Sequence, residues 1–323
     1  MVNYVQKGIG GELGMKILVV GAGAIGGYFG GRLLEKGEDV TFLVRETRKK
    51  QLDEDGLHIE SIHGNISLKP KTILSGNKSS EVFDIILLST KAYHLTGVME
   101  DIRQFVQEET MILPLLNGIS HVDFLIEEFG EKHVLGGLCF IETTLDQYGK
   151  VVQTSPIHNL VFGERSGEET DRIQKVRESF SNTKANFIYS DNIMKEMWHK
   201  YLFISLLSGA TTLMRAPIGP IRDTKSGFGA LSAIVTEVIT VMESMGAPVG
   251  KDLIDAQLTK IKEMGYNMKS SMQRDMEKGM PTEADHFFLY LLEHAKEHHI
   301  STPSLELIYA NLKVYEKAVL ELK

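Results

Sequence analysis

The sequence predicts an α/β chain in two parts, a doubly wound parallel sheet followed by a mostly α-helical domain. Three observations carry this. Short apolar runs alternate with amphipathic helical stretches through the first half; a glycine-spaced turn joins the first run to the first helix; and beyond Asp191 helical spacing takes over almost entirely. A chain of 323 residues is long enough for two domains, each with its own core.

In chain order, Lys16 to Val20 is the first strand and Ala24 to Lys36 the first helix, stopped by Gly37. Val40 to Val44, Ile85 to Ser89 and Met111 to Leu115 are further apolar runs of strand length, apolar on both faces as parallel strands between helices must be. Leu95 to Gln107 alternates polar and apolar positions at helical spacing. From Val134 to Glu164 the pattern shortens to "LGGLCFIETTL", "GKVVQTS" and "NLVFGE", which are expected to extend the sheet as hairpins. After "NFIYSD" the expected helices are Ile193 to Leu213, Ser226 to Met245, Lys251 to Glu263, Glu283 to His298 and Ser304 to Leu322. The expected division is therefore a tail over residues 1–14, a first domain over 15–191 and a helical domain over 192–323. The Gly-rich "MVNYVQKGIGGELG" lacks periodicity, and Met15, which opens the first strand, is a candidate native start because codons for Gly10-Gly11-Glu12 can spell a purine-rich ribosome-binding sequence.

Composition narrows the function. A formal charge of −8 with acids and bases interspersed argues against a general nucleic-acid binder. No signal-peptide pattern or apolar run near eighteen residues stands out. The longest candidate, Tyr201 to Leu213, is broken by Ser205, Ser208, Gly209 and two threonines, so no membrane is expected. The lone cysteine, Cys139, rules out an intramolecular disulfide and fits a reducing cytoplasm. His294, His298 and His299 have no acidic or Cys partner evident at metal spacing, and no metal is expected. Ser155, Ser205 and Ser208 lack a G-x-S-x-G context, and the methionines between 242 and 276 read as fillers of helix interfaces.

Gly21-Ala22-Gly23-Ala24-Ile25-Gly26 is G-x-G-x-x-G between a strand and a helix, the context in which that spacing binds a dinucleotide in a Rossmann-type domain. Gly21 allows the tight turn, Gly23 lets a pyrophosphate approach the backbone, and Gly26 lets the helix pack closely. Where an NAD site carries Asp or Glu at the end of the second strand, this chain reads Leu43-Val44-Arg45. A guanidinium there suits the 2′-phosphate of NADP, so NADPH/NADP+ is the expected cofactor. Arg48, Lys49 and Lys50 follow; a solvated basic helix start accounts better for Lys49 and Lys50 than for Arg45. Lys91 in "LLSTKAYH" and Asn117 in "LPLLNGIS" each lie just past a strand, at the edge where ligands of such sheets collect, and each is equally readable as turn chemistry.

With "MKEMWHKYLFISLLSGATTLMRAPIGPI" and "SSMQRDMEKGMPTEAD", these motifs make the chain resemble the ketopantoate reductase (2-dehydropantoate 2-reductase) family from Met15 to near its end. G-x-G-x-x-G, the Arg after the second strand, S-T-K-A, L-N-G, W-x-K, S-S-M-x-x-D and T-E-x-D occur in the family's order. The resemblance implies NADPH-dependent reduction of a small 2-keto acid bound in the interdomain cleft, ketopantoate to pantoate in pantothenate and coenzyme A biosynthesis. It implies Lys200 as general acid and Glu283 as the carboxylate at the substrate hydroxyl and beside the cofactor. Ser271 would meet the substrate carboxylate, and Lys91 and Asn117 would form the polar pair near nicotinamide and substrate. Without it, Lys200 reads as a snorkelling surface lysine and Glu283 as a helix N-terminal acid. No macromolecular partner is implied beyond a possible homodimer.

The chain departs from the family pattern where many members carry Asn one and two turns after the lysine, at Ile204 and Ser208. Met268 likewise replaces an Asn of some members, with Asn267 beside it. The pocket is expected to be less polar than usual, which leaves a different, more apolar 2-keto acid as the alternative substrate. A non-catalytic NADP(H)-binding sensor is the alternative outside enzymology, and retention of Lys200 and Glu283 speaks against it.

Overall fold

The computed structural model describes residues 14–321, and the chain divides into two compact units. The expected tail over 1–14 lies, except for Gly14, outside the described residues.

The first unit comprises 14–90, 96–116 and 128–191 of the described chain. Its strands are β1 (Lys16–Val20), β2 (Asp39–Val44), β3 (Leu57–Ser61), β4 (Ile66–Leu68), β5 (Lys71–Leu74), β6 (Ile85–Leu88), β7 (Met111–Pro114), β8 (Gly136–Leu145), β9 (Val151–Gly163) and β10 (Asn186–Tyr189). Its helices are α1 (Ala24–Lys36), α2 (Glu46–Glu54), α3 (Leu95–Ile102) and, after a fourth helix, α4 (Ser120–Phe129), whose first turns belong to the second unit, α5 (Asp171–Phe180). One all-parallel sheet runs β5-β2-β1-β6-β7. β6 and β7 are buried along their whole length, which is why they read as unbroken apolar runs.

The hairpin strands do not extend this sheet. β8 and β9 pair antiparallel, and β9 pairs parallel with both β3 and β10, giving a second sheet of order β10-β9-β3-β4 with β8 on β9. Helix α1 lies between the two sheets, and its glycines are the reason it can. A Cβ on Gly30 would come within 2.9 Å of Val19 and Phe42 in the first sheet, whereas one on Gly31 would come within 2.5 Å of Ile59 in the second. Glycine costs a helix about 1 kcal/mol per residue relative to alanine, offset here by burial on two sides. Ile17, Val19, Phe29, Phe42, Leu57, Ile59, Val151 and Phe162 thus share one core. The expected helix over Leu95 to Gln107 is shorter: α3 ends at Ile102 and a 3₁₀ turn, Arg103–Phe105, tucks Phe105 inward.

The second unit comprises 91–95, 117–127 and the described residues from 192 onward. Its helices are α6 (Ile193–Met214), α7 (Ile218–Asp223), α8 (Lys225–Ser244), α9 (Asp252–Glu263), α10 (Ser271–Glu277), α11 (Tyr290–Glu297) and α12 (Pro303–Glu321). The single helix expected over Glu283 to His298 is a π-helical segment, Asp285–Leu289, leading into α11. Helix α6 is buried around most of its circumference by α7, α8, α10 and α12 and forms the centre of the unit. Contrary to the sequence expectation, a longer apolar stretch than Tyr201 to Leu213 exists: α8 has the length and composition to cross a membrane. Leu231, Ile234, Val235, Val238 and Ile239 bury one face of it in this core.

Candidate active site

In the parallel sheet β1 and β6 are neighbours at the point where the strand order reverses. Ligands of such sheets collect beyond the carboxyl ends of those two strands. Gly21 leaves β1 with φ +93°; its N–H donates to Leu43 O at 3.1 Å and its carbonyl accepts from Ser89 Oγ, just past β6, at 3.3 Å. A Cβ on Gly26 would lie 2.1 Å from the Gly21 carbonyl oxygen and 2.3 Å from Ser89 Oγ. Gly23 differs. Its φ of −79° suits any residue, and a Cβ built there meets no atom within 4 Å among the described residues. No contact among them therefore demands glycine at 23. The space over the first turn of α1, formed by the half-buried Ala24 and Ile25 beside buried Ala22 and provided with no side-chain cap, fits a pyrophosphate.

Arg45 is exposed at the N-cap of α2, one residue beyond β2. Lys49 is engaged by Asp53 at 2.8 Å and Thr72 at 2.9 Å, and Lys50 pairs loosely with Glu54. Arg48 is the residue the sequence did not single out. Its Nε donates to Ala22 O at 2.9 Å and its Nη1 to Gly149 O at 2.7 Å, so it braces the glycine loop itself; burial pulls its pKa below the usual arginine value.

The second unit gathers the other candidates. Lys200, on α6, is only 8% exposed, which excludes the snorkelling surface reading. Lys91 Nζ lies 2.7 Å from Asp275 Oδ2 and 3.3 Å from Glu283 Oε2, and the Ala92 N–H donates to Glu283 Oε1 at 3.0 Å. Partial burial disfavours the Lys91 ammonium, but the two carboxylates outweigh it and raise its pKa above the usual lysine range. Both oxygens of Glu283 are thus oriented from the Lys91-Ala92 segment. Asn117 precedes Gly118, whose φ is +84°, and its carbonyl accepts from His286 Nε2 at 2.6 Å. Ser271 is exposed at the start of α10. Ser270 is the buried serine, capping α10 through Gln273 N–H at 3.0 Å and bonded to Thr211 at 2.9 Å.

Ser208 is 3% exposed on α6, and Ile204, one turn after Lys200, is half-buried. One expectation needs correction. His294 and His298 do have an acidic companion: Glu297 on the same helical turn brings a ligand atom of each residue within 4.8 Å of the others. The residues missed were Ser89, Arg48, Asp275, His286 and His121. Asp275 and Ser89 stood inside S-S-M-x-x-D and S-T-K-A, whereas Arg48, His286 and His121 are placed by groups distant in sequence.

A dinucleotide loop on a parallel sheet, with a buried lysine and an oriented carboxylate cluster in a helical unit, defines the class as two-domain NAD(P)-dependent oxidoreductases. The model of the family "Ketopantoate reductase PanE/ApbA" matches residues 17–167, and that of its C-terminal domain matches 192–316. The chain belongs to this family of NAD(P)-dependent 2-keto acid reductases, oxidoreductases acting on a CH–OH group. It is 47% identical over 302 residues, 94% of this chain and 99% of the relative, to the uncharacterized oxidoreductase YkpB of Bacillus subtilis strain 168. The crystal structure of 2-dehydropantoate 2-reductase from Geobacter metallireducens GS-15 superposes with a TM-score of 0.82 at 27% identity, covering 93% of this chain and 99% of the other. A ternary structure of D-mandelate dehydrogenase with NADH and anilino(oxo)acetate gives 0.85 at 22% identity, covering 95% and 99%, a likeness of fold.

Proposed function

We propose that the chain reduces ketopantoate to pantoate with NADPH, Lys200 serving as the general acid. The observation that carries this is the burial of the Lys200 side chain, on a central helix of the unit that also holds the Lys91–Glu283–Asp275 cluster. Gly21, Ala22, Gly23, Ala24, Ile25 and Gly26 hold the pyrophosphate, and Arg45 takes the 2′-phosphate. When bound, the nicotinamide supplies the hydride. As the ketone carbon gains it, the carbonyl oxygen becomes an alkoxide, which the Lys200 ammonium stabilises and protonates, yielding the 2-hydroxy acid. Glu283 accepts a hydrogen bond from the substrate hydroxyl, held for that by Lys91 and the Ala92 N–H, and also borders the cofactor. Asn117 and Lys91 set the nicotinamide end and the substrate oxygens, and Ser271 donates to the substrate carboxylate.

Ile204 favours a second reading, a 2-keto acid with a more apolar tail. A methyl-lined wall replaces an amide one turn from Lys200, and an unpaired polar partner costs roughly 1–3 kcal/mol of discrimination. The test is steady-state oxidation of NADPH and NADH against a panel of 2-keto acids. The first reading predicts the highest kcat/KM for ketopantoate with NADPH; preference for a tail without a hydroxyl selects the second, and no turnover with any 2-keto acid defeats both.

A further inference from the structure

The Asn117-Gly118 turn is held by a side chain from another element. His286, in the π-helical segment, sends Nε2 to the Asn117 carbonyl at 2.6 Å, and Ser120 Oγ lies 2.7 Å from His286 Nδ1. A carbonyl can only accept, so Nε2 carries the hydrogen. In the neutral ring Nδ1 is then a lone pair, and the Ser120 hydroxyl donates to it. One imidazole therefore closes a bracket over residues 117–120, with both nitrogens satisfied. The fit is close: a Cβ on Gly118 would lie 2.8 Å from His286 Nε2.

The surroundings keep the ring neutral. Burial lowers the His286 pKa, and the Glu283 charge and the Asn117 bond only partly oppose it, leaving it below the usual histidine value. His121 of α4 lies against it, ring centroids 5.4 Å apart, 1% exposed and with neither nitrogen bonded among the described residues. Burial, then the charges of His286 and Lys200, hold His121 well below the usual value, so a cation on either ring is disfavoured.

His286 follows Glu283 by three residues, and the Phe287 N–H donates to the Glu283 carbonyl at 3.0 Å, so both side chains leave the same turn. The extra residue of a π turn is a frequent mark of a functional segment. We propose that His286 is a positioning residue of the reductase site, tying the Asn117 carbonyl to the turn that carries Glu283 so that the two groups are set as one unit. This rests on the roles given to Asn117 and Glu283 under the proposed function. Nothing in the L-N-G or T-E-x-D motif encodes it, because the bond joins a backbone oxygen to a residue 169 positions away.

The isosteres separate a hydrogen-bonding role from packing. Glutamine places an amide N–H where His Nε2 stands, whereas asparagine mimics only Nδ1. In the full-length protein, His286→Gln should keep kcat for the preferred 2-keto acid within about threefold of wild type. His286→Asn and His286→Ala should lose roughly ten- to a hundredfold, the scale of a misplaced reacting group. NADPH affinity by fluorescence titration should fall less than kcat in the Asn and Ala variants, since the pyrophosphate and 2′-phosphate contacts do not involve Asn117 or Glu283, and should stay near wild type in Gln. Amide exchange at Gly118 and Ile119 should quicken in the Asn and Ala variants and not in Gln. Equal losses for Asn and Gln, or losses that follow melting temperature and not donor position, overturn the proposal. If the wild type reduces no 2-keto acid, the functional reading fails, while the order of exchange rates still decides whether the bracket exists. If the Asn and Ala variants do not fold, His286→Gln carries the test: a folded Gln variant that loses roughly tenfold or more in kcat, or whose Gly118 exchange quickens, would overturn the proposal.

Discussion

Gly23 and Gly26 belong to one motif, yet their substitution should fail in different ways. Gly26→Ala places a methyl 2.1 Å from the Gly21 carbonyl oxygen, about 1 Å inside contact, and the neighbour is backbone that cannot rotate away. Overpacking of this kind costs about 1–3 kcal/mol, and at roughly 2–4 °C per kcal/mol the melting temperature should fall by several degrees. Gly23→Ala meets no atom of the described residues within 4 Å and keeps an ordinary backbone conformation, so only the roughly 0.5–1 kcal/mol separating Gly from Ala at an N-cap applies and melting should fall less than in Gly26→Ala. Its methyl instead enters the space assigned to the pyrophosphate. One or two lengthened bonds to a charged acceptor, each worth about 1.5–3 kcal/mol, weaken dinucleotide binding at least roughly tenfold. Differential scanning fluorimetry and NADPH fluorescence titration, run side by side, separate the effects. A Gly23→Ala protein that binds NADPH like wild type would refute the placement of the phosphates, and an unshifted melting temperature in Gly26→Ala would refute the steric account.

Four further expectations follow from the same geometry. Arg45→Ala should weaken NADPH roughly ten- to a hundredfold and NADH little, because only the 2′-phosphate needs a guanidinium; equal losses in titrations of both cofactors would contradict this. Lys200→Ala should lower kcat on the order of a hundredfold or more with NADPH affinity nearly unchanged, and collapse of cofactor binding with surviving turnover would remove the general-acid role. Ile204→Asn should raise kcat/KM for ketopantoate relative to a hydroxyl-free analogue of similar volume, and an unchanged ratio in a folded protein would place Ile204 outside the pocket. Stability should fall on acidification. His158 bonds Tyr28 OH at 2.7 Å and stacks on His63, and burial, then the charges of His63 and Arg32, push its pKa down to about 4. The unfolded chain takes up this proton near pH 6.5 and the folded chain only near 4. The contribution is therefore intact above about pH 6.5, and up to about 3 kcal/mol is lost by pH 4. Urea melts from pH 7 to 4 should show the slope, and His158→Asn should flatten it.

What was legible in the sequence follows from where each constraint lies. β1, β2, β6 and β7 could be read because strands buried on both faces are apolar throughout, and α1 because Gly37 ends it in a left-handed cap with φ +108°. The second sheet could not be placed. Val151–Gln153 pairs with Ile59–Ser61 across some ninety residues, and an apolar run does not state which edge it will join. β4, three half-exposed or exposed residues, has almost no pattern to read. The glycines of α1 announced a close approach, but only Leu57, Ile59 and Val151 reveal that a second sheet makes it.

The candidate site divides the same way. Motifs identify residues one at a time, so Lys91, Asn117, Lys200 and Glu283 were visible as types at telling positions, while their partners were not. The partners change the chemistry. Lys91 read equally as a contact for cofactor or substrate oxygens and as turn chemistry, yet it is paired with Asp275 and Glu283, and the three side chains together carry one net negative charge. An anionic 2-keto acid would be repelled by such a cluster unless another cation stood close to its reacting oxygen. Under the proposed mechanism Lys200 meets that need, because the alkoxide formed on hydride arrival adds negative charge at the one atom the ammonium addresses. The Lys91 charge then serves to hold Glu283 as an acceptor, with Oε1 fixed by the Ala92 N–H and Oε2 by Lys91, and its remaining lone pairs turned to a hydroxyl donor. On that proposed mechanism the two lysines have opposite tasks: one keeps its proton to orient a carboxylate, and the other gives its proton away.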